Sequence, residues 1–340
     1  MKRAMELARL TTLEVGGEAR RFVCASSDLS LVEEISACDA RGEKVFVLGG
    51  GSNVVFPDEG FDGTVVRVET RGIVFDGDVI ELAAGEIWDD FVAFAAQSGR
   101  SGVECMSGIP GMVGATPMQN VGAYGQETQD TLSHVRVWDR QSARVMTLSA
   151  AECRMSYRHS MLKETSRFVV LRVAFTLPRS SESAPIRYAE LARALGVKEG
   201  ARAPLARVRE TVISLRRGKG MVLDPNDADT RSAGSFFVNP TMDEKAYEAL
   251  AARAGEKVPR FDQEGAVKVP AAWLIERAGF VKGTARGNAA ISTKHALAIT
   301  NRGGATSKEI VALAREVKAA VDQRFGVSLS AEPILVGQEL

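Results

Sequence analysis

Residues 108–127 read GIPGMVGATPMQNVGAYGQE, a stretch in which glycine or proline recurs every few positions. Such spacing interrupts helices and strands, so the stretch is predicted to be a long loop. Interleaved apolar residues argue against disorder, and long loops inside a compact domain are commonly functional. Thr116, Gln119 and Asn120 add side-chain hydrogen-bonding groups. We therefore favour a loop that lines a ligand over a purely structural one.

A second glycine-rich segment, LGGGSNVV at residues 48–55, follows a predicted strand at Val45–Leu48. A glycine run in this position lets the backbone turn sharply and bring N–H groups close to an anion. The segment is not a Walker loop, because no Gly-Lys followed by Ser or Thr is present. Val54 also stands where a dinucleotide-binding fingerprint has its third glycine. A plain hairpin turn and a phosphate-binding loop both remain open.

Four further segments carry reactive or charged side chains, and each has an ordinary structural alternative. YRHS places Arg158 in a short aromatic setting that also suits a surface ion pair. GSFFVNP contains Ser235, but it lacks the GxSxG of a nucleophile elbow and equally suits a strand entry. The cations of RRGK at residues 216–219 could clamp phosphates or complement a helix C-terminus. Glu332, near the chain end, would normally be solvated.

The composition is typical of a folded chain that does not bind nucleic acid in general. Its 340 residues exceed what one hydrophobic core usually supports, so two or three domains are expected. The 43 basic and 43 acidic residues balance, which argues against a general nucleic-acid binder. The 32 glycines exceed the usual share of about 7%. Eight of these glycines stand in the two glycine-rich segments.

Cysteine spacing and apolar patterning limit the remaining classes of protein. The four cysteines are irregularly spaced and only three histidines occur, so no metal site is expected. No apolar run approaches the roughly 18 residues of a membrane span. The opening MKRAMELARL also lacks the apolar centre of a signal peptide. These features lead us to expect a cytoplasmic protein with free thiols.

Hydrophobic periodicity and capping signals predict a mixture of helices and strands. The clearest helix is Ser307–Phe325, with a capping box at Thr306 and Glu309 and a stop at Gly326. The other predicted helices are Asp28–Ala40, Trp88–Gln97, Leu205–Arg217, Thr241–Ala254 and Ala271–Ala278. The predicted strands are Val45–Leu48, Val65–Val68, Val79–Ala83, Val135–Trp138, Val145–Leu148, Phe168–Leu177 and Val327–Val336.

Taken together, the two glycine-rich segments, YRHS, GSFFVNP and the terminal Glu332-Pro333 closely resemble the UDP-N-acetylenolpyruvoylglucosamine reductase (MurB) family. The resemblance runs from Thr12 to Val336, and residues 108–127 carry its most specific motif. The long segment between Arg158 and Ser235 favours the longer branch of the family, type I.

The resemblance implies an α+β fold with an FAD-binding region of the vanillyl-alcohol-oxidase/PCMH-like type. It implies two α/β subdomains at residues 1–67 and 68–219 and a C-terminal α+β substrate domain at residues 220–324. Residues 325–340 are a segment that can pack back onto the first subdomain. The implied activity is NADPH-dependent, FAD-mediated reduction of UDP-N-acetylglucosamine enolpyruvate to UDP-N-acetylmuramate for peptidoglycan synthesis. A monomer with no nucleic-acid or membrane partner is expected.

The resemblance also implies roles for particular residues. Arg158 and Glu332 polarise the substrate and stabilise an enolate-like intermediate, and Ser235 donates a proton. Tyr188 closes on the substrate, while Arg216, Lys219 and Asn239 contact its diphosphate. Non-covalent FAD is expected, with its pyrophosphate against the backbone of the first glycine loop. The FAD contacts implied are Gly49, Gly50, Gly51, Ser52, Asn53, Ile109, Pro110, Thr116, Gln119, Asn120, Gly122, Ala123 and Tyr124.

The sequence departs from the family pattern at two positions, and two other functions are alternatives to the reductase. Val238 replaces a lysine that is common before the Asn of GSFF-x-N-P, and Ile334 replaces a second glutamate. A flavin oxidase of the same fold family often tethers its flavin through His or Cys, and Cys105 lies just ahead of the long loop. A non-catalytic nucleotide-sugar sensor would keep the glycine loops without needing Arg158, Ser235 and Glu332 together.

Overall fold

A computed structural model describes residues 5–163, 165–263 and 265–340 of the chain. The described chain forms two compact units. The first unit contains Met5, Ala19–Gly50 and Asp62–Gly218, and the second contains Glu6–Glu18, Gly51–Phe61 and Lys219–Leu340. The division into three regions at residues 67 and 219 stays a prediction, and residues 1–4 of its first region lie outside the described part.

The helices begin and end close to where local sequence signals place them. Helix Asp28–Ala40 has a capping box on Ser27, and helix Ser307–Phe325 has the predicted one on Thr306 and Glu309. Gly326 ends the last helix in the left-handed conformation, with φ of 69°. The helices are α1 Asp28–Ala40, α2 Trp88–Gln97, α3 Ala189–Leu195, α4 Leu205–Gly218, α5 Glu244–Ala254, α6 Ala271–Arg277 and α7 Ser307–Phe325.

The strands are mostly short and pair mainly in antiparallel fashion, which agrees with the predicted α+β class. They are β1 Met5–Glu6, β2 Glu18–Ala25, β3 Val45–Leu48, β4 Val54–Val55, β5 Phe61–Val68, β6 Ile73–Asp76, β7 Val79–Ala83, β8 Gly122–Ala123, β9 Gln126–Glu127, β10 Leu132–Asp139, β11 Arg144–Ser149, β12 Phe168–Thr176, β13 Ser232–Ser235, β14 Thr241–Met242, β15 Phe261–Gln263, β16 Ala266–Lys268, β17 Ala285–Arg286, β18 Ala289–Ile291, β19 Ala298–Asn301 and β20 Ile334–Leu335.

The core of the first unit lies beneath a five-stranded sheet of order β11-β10-β12-β7-β6. Trp88 and Phe91 of α2 pack against Phe175 of β12, with ring centroids 5.6–5.8 Å apart. The Trp88 indole N–H donates a 3.1 Å hydrogen bond to the carbonyl of Met106. This bond anchors the chain just ahead of residues 108–127 to the buried core.

The core of the second unit lies between α7 and a four-stranded sheet of order β13-β19-β18-β17. The apolar face of α7 is buried as its helical spacing predicts, because a period of 3.6 residues places those side chains on one side. Phe236 and Phe237 join this core and are almost completely buried. They follow directly after Ser235, so Ser235 stands at the edge of a well-packed region.

Two predicted elements are wrong in extent. The helix predicted at Thr241–Ala254 begins at Glu244, because the Asp243 side chain caps it by accepting a 2.7 Å bond from Ala246 N–H. The long final strand predicted at Val327–Val336 is only Ile334–Leu335. Pro333 has no N–H to donate to a strand ladder, and Glu332 therefore precedes the final strand rather than lying in it.

Across the part of the chain that the structure describes, none of the helices has the length and apolar character needed to traverse a lipid bilayer.

Candidate active site

The loop at residues 108–127 is fastened to the first unit at its start. Gly108 N–H donates a 2.6 Å hydrogen bond to Asp89 Oδ1, on the first turn of α2. Val113 N–H bonds to Glu86 O at 2.8 Å, and Gly114 N–H bonds to Ala84 O at 2.8 Å. These bonds hold the long loop against α2 and β7. Sequence reasoning missed Asp89, because an acid in the first turn of a helix is common and favourable there for the helix dipole alone.

Gly50 and Gly51 are required by close packing of backbone against backbone. A Cβ atom on Gly50 would lie 2.8 Å from Gly111 Cα, so the two glycine-rich loops touch through their main chains in the first unit. A Cβ on Gly51, which belongs to the second unit and has a φ of +65°, would lie 1.9 Å from Leu10 O. Some of the glycines in these loops are therefore needed for packing, whether or not a ligand lies against them.

Several predicted FAD contacts use their side chains to brace the loop itself. Thr116 is buried and its hydroxyl donates to Val113 O at 2.8 Å, while Gln119 Oε1 accepts from Lys163 Nζ at 3.5 Å. Asn120 is fully buried in the left-handed conformation, with φ of 46°. Its amide donates to Glu127 Oε2 at 2.7 Å and to Ser156 O at 3.1 Å. The roles of these residues toward FAD stay predictions.

Arg158, which is also in the first unit, contacts the C-terminal part of this loop. Its guanidinium donates to Gly122 O at 2.8 Å and to Asn120 O at 3.4 Å, and stands 5.1 Å from the centroid of the Tyr157 ring. The residue has a φ of 55°, a conformation that costs a non-glycine residue energy and is common at functional sites. The structure thus joins the predicted catalytic cation to the loop that the sequence singles out.

Three predicted ligand contacts lie near one another in the first unit. The Tyr188 ring packs edge to face on the Tyr124 ring, with centroids 5.4 Å apart and an interplanar angle of 88°. Burial raises the pKa of Tyr124 to about 12, although the charge of Arg216 opposes the rise. Burial also lowers the pKa of Arg216 to about 10, against the effects of Tyr124 and Asp89. At neutral pH this cluster presents two neutral phenols and a cation.

The predicted catalytic residues Ser235 and Glu332 belong to the second unit, and their backbones are tied together there. Ser235 pairs with Ala298, and the next residue, Phe236, donates from its N–H to Leu297 O at 2.7 Å. Glu332 N–H donates to Phe236 O at 2.9 Å. The acid and the proposed proton donor therefore sit on adjacent, hydrogen-bonded segments.

Asn53, predicted as an FAD contact, also braces Glu332 within the second unit. Its side-chain amide donates to Glu332 O at 3.3 Å, and its own carbonyl accepts from Ile334 N–H at 3.0 Å. The strand after the first glycine run then pairs in parallel with the strand after Glu332, with Val54 opposite Ile334. A direct role of Asn53 toward FAD stays a prediction.

The two remaining predicted substrate contacts, Lys219 and Asn239, lie in the second unit. Asn239 Oδ1 accepts a 2.8 Å bond from Ala271 N–H and so satisfies the first N–H of α6. The polar segment between Lys219 and Ser235 is held by Asp229, which sequence reasoning missed. Asp229 accepts bonds from Thr293 N–H at 2.9 Å and from the Arg302 guanidinium at 3.0 Å.

Cys105, the residue considered as a covalent flavin tether, is buried in an apolar cluster of the first unit with Ile186 and Leu191. Burial strongly raises the pKa of its thiol, and nearby Glu104 adds to the rise. Since the thiolate is the nucleophilic form, this environment suppresses its reactivity.

Comparison with known proteins identifies the family of the chain. Residues 224–336 match the family model described as UDP-N-acetylenolpyruvoylglucosamine reductase, C-terminal domain, and residues 19–149 match an FAD binding domain. The UDP-N-acetylenolpyruvoylglucosamine reductase of Streptomyces coelicolor is 53% identical over 98% of this chain and 90% of its own length. The chain belongs to the UDP-N-acetylenolpyruvoylglucosamine reductase family.

Further relatives of this reductase family agree in sequence and in structure. The family member from Thermobifida fusca is 51% identical over 99% of this chain and 98% of its own length. The crystal structure of the Thermus caldophilus reductase superimposes with a TM-score of 0.68 at 26% identity, covering 98% of each chain. The predicted family and the predicted α+β fold with an FAD-binding region are therefore confirmed.

The residues of the matched FAD-binding domain fit that cofactor. The contact between Gly50 and Gly111 makes the main chain, rather than side chains, the surface of both loops at this point. Main-chain N–H groups in glycine-rich turns are suited to a diphosphate. In the same unit, Tyr124 and the apolar Ile109 offer surfaces that suit a flavin ring.

Proposed function

We propose that this chain reduces the enolpyruvyl ether of UDP-N-acetylenolpyruvoylglucosamine to the lactyl ether, giving UDP-N-acetylmuramate for peptidoglycan synthesis, with NADPH as reductant. The observation that supports this most strongly is the tie between Ser235 and Glu332 through the bond from Glu332 N–H to Phe236 O, at 2.9 Å. A sensor that only bound the nucleotide sugar would have no need for a glutamate and a serine on adjacent, hydrogen-bonded segments. FAD, when bound, supplies the carrier that takes a hydride from NADPH and passes it to the substrate.

The protein's task is to stabilise charge that appears during the reaction. When a hydride adds to the terminal carbon of the double bond, negative charge develops on the neighbouring carbon and its carboxylate. A fixed cation facing that charge lowers the barrier, because it needs no reorganisation at the moment of reaction. Arg158 suits this role, since two loop carbonyls and the Tyr157 ring hold its guanidinium in place.

Proton delivery to the carbon next to the carboxylate completes the reduction. Ser235 Oγ donates this proton in our proposal, and Glu332 helps to polarise the intermediate. A hydroxyl is a weak acid, but a carbanion-like carbon is a strong base, so position matters more than a matched pKa. The packing of Phe236 and Phe237 into the core immobilises the backbone that carries Ser235.

FAD is bound without a covalent bond in this proposal. The backbone of Gly49–Asn53 would hold the pyrophosphate, and Ile109, Pro110, Thr116, Gln119, Asn120, Gly122, Ala123 and Tyr124 would line the ribityl chain and ring. Burial of Cys105 supports the absence of a tether through that thiol. Acid denaturation of the purified protein should release all of the flavin into solution. Flavin that stayed with the precipitated protein would contradict this.

An anaerobic half-reaction tests the proposed function. NADPH is added to the oxidised holoprotein until the flavin absorbance is bleached, and the enolpyruvyl nucleotide is then added. We expect the oxidised flavin spectrum to return, and UDP-N-acetylglucosamine without the enolpyruvyl group should leave the flavin reduced. A flavin that stays reduced after addition of the enolpyruvyl nucleotide would overturn the proposal.

A further inference from the structure

Glu104 is a buried carboxylate in the first unit that the proposed reaction does not use. The residue is 1% exposed, and its carboxylate accepts hydrogen bonds from three N–H groups. Gly102 N–H donates to Oε2 at 2.6 Å, while Ala184 N–H and the Gln126 side-chain amide donate to Oε1 at 2.7 and 3.0 Å. Because all three partners are donors, the position requires a group that only accepts hydrogen bonds.

The three donors come from separate segments of the chain, and Ala184 lies 80 residues from Glu104. Gly102 precedes the loop of residues 108–127, and Gln126 lies near the end of that loop. Ala184 lies on the segment that leads to Tyr188. The orientation of the Gln126 amide is set by a second bond, because its Oε1 accepts from Cys105 N–H at 2.7 Å. Glu104 therefore joins the end of the loop to the start of the Tyr188 segment.

Both joined segments carry an aromatic ring of the predicted ligand cluster. Tyr124 stands two residues before Gln126, and Tyr188 stands four residues after Ala184. Between Ala184 and Tyr188 the chain is held by Ile186, which is fully buried and donates from its N–H to Ala201 O at 2.8 Å. Only three residues separate Ala184 from Tyr188, so a shift of Ala184 that carries Ile186 with it would move Tyr188, whose ring rests against Tyr124.

We propose that Glu104 is a positioning residue that sets how Tyr188 stands over Tyr124, and thereby the affinity for the nucleotide sugar. This inference rests on the proposed function, because it assigns the Tyr188 segment to substrate binding. Glu104 touches neither ring in this role. It acts through the two backbone segments that it joins.

The test is Glu104→Gln, which keeps the shape of the side chain but turns one acceptor into a donor. That donor would face an N–H group, so one buried hydrogen bond is lost. We expect the KM for the enolpyruvyl nucleotide to rise about 5- to 30-fold, the size expected for one such bond. The kcat and the rate of flavin reduction by NADPH should change by less than about twofold, because the variant should weaken binding of the substrate and of the transition state equally. An unchanged KM would overturn the inference.

A double-mutant cycle with Tyr188→Ala separates positioning from general loosening. If Glu104 acts through Tyr188, Glu104→Gln should raise KM by less than about twofold in the Tyr188→Ala background, because coupled residues are not additive. An equal rise in both backgrounds would overturn the inference. If Glu104→Gln does not yield folded holoprotein, Gln126→Met removes the bond to Glu104 together with the bond from Cys105 N–H, and it enters the same cycle with the same expected outcomes.

Asp139→Asn serves as the matched control. Asp139 is also completely buried in the first unit, where it accepts two 2.6 Å bonds from Arg167. The variant should be less stable than wild type but should keep the wild-type KM, and a similar rise in its KM would overturn the inference. Failure of the proposed function is distinguishable from these outcomes, because wild-type protein would then not oxidise NADPH when the enolpyruvyl nucleotide is added.

Discussion

The main-chain N–H of Glu332 donates a 2.9 Å hydrogen bond to the carbonyl of Phe236, the residue that follows Ser235. Residues almost a hundred positions apart in the sequence are thereby held on neighbouring segments of one compact unit. Neither residue could take another backbone position without breaking this bond and disturbing the packing of Phe236. The geometry makes the chemical role of Ser235 testable, because removal of its hydroxyl leaves these backbone contacts intact.

Ser235→Ala should separate the two halves of the reaction. We expect flavin reduction by NADPH to stay within about twofold of wild type, whereas reoxidation by the enolpyruvyl nucleotide slows by roughly 10²-fold or more, the usual contribution of a general acid. Rapid-mixing absorbance measurements would follow the two steps separately. Ser235→Cys, which restores a proton donor, should recover part of the lost rate. Wild-type turnover in Ser235→Ala would remove Ser235 from the mechanism.

Gly50→Ala should destabilise the FAD-binding region more than Gly49→Ala does. A Cβ on Gly50 would lie 2.8 Å from Gly111 Cα, whereas a Cβ on Gly49 would meet only Met112 at an ordinary 3.6 Å. Overpacking of this kind costs about 1–3 kcal/mol, since one of the two backbones must move. Urea unfolding of both apoproteins, together with the fraction of FAD retained after gel filtration, provides the measurement. Equal stability of the two variants would contradict the close packing of the two loops.

Asp89→Asn should lower stability in a pH-dependent way. Burial opposes ionisation of Asp89, but hydrogen bonds from Arg209 and Gly108 outweigh it and lower the pKa of its carboxyl group. The resulting stabilisation is fully present above the ordinary Asp pKa of about 3.9 and is lost as the pH falls through the folded-state pKa. The variant should therefore be less stable than wild type at pH 7, with the difference shrinking below pH ~4.

Thermal unfolding of wild type and Asp89→Asn from pH 7 to pH 3 would measure this effect. Asp62→Asn is the matched control, because Asp62 is 82% exposed where it pairs with Arg20. Such an exposed pair should contribute less than about 1 kcal/mol at any pH. A stability difference for Asp89→Asn that stays constant down to pH 3 would show that the charge of Asp89 does not cause it.

Asn239→Asp should distinguish helix capping from substrate binding. The Asn239 side-chain oxygen accepts a bond from Ala271 N–H, and a carboxylate can accept the same bond. Stability should therefore stay near wild type in Asn239→Asp, while Asn239→Ala should lose about 1 kcal/mol. If the amide also contacts the substrate diphosphate, the new negative charge should raise the KM for the nucleotide about 10-fold or more. A wild-type KM in Asn239→Asp would leave Asn239 with the capping role alone.

Local sequence signals were sufficient for the helices whose ends are capped by neighbouring residues. Helices α1, α2 and α7 begin and end where their spacing predicts. A capping box starts α1 and α7, and a glycine in the left-handed conformation follows α2 at Gly99 and α7 at Gly326. The final strand is shorter than its apolar content predicts, because Pro333 has no N–H to donate to a strand ladder. The motif set also pointed to the family that the comparisons confirm.

The residues of the glycine loops and of the reactive motifs can be read directly from the sequence, because those motifs are contiguous. Tertiary structure alone decided what holds them: Asp89 fastens Gly108, Asp229 holds the segment before Ser235, and Glu104 joins the loop to the Tyr188 segment. Each of these acids accepts N–H groups from segments remote in sequence. A buried carboxylate needs such partners, but their identity depends on which backbones the fold brings within hydrogen-bonding distance.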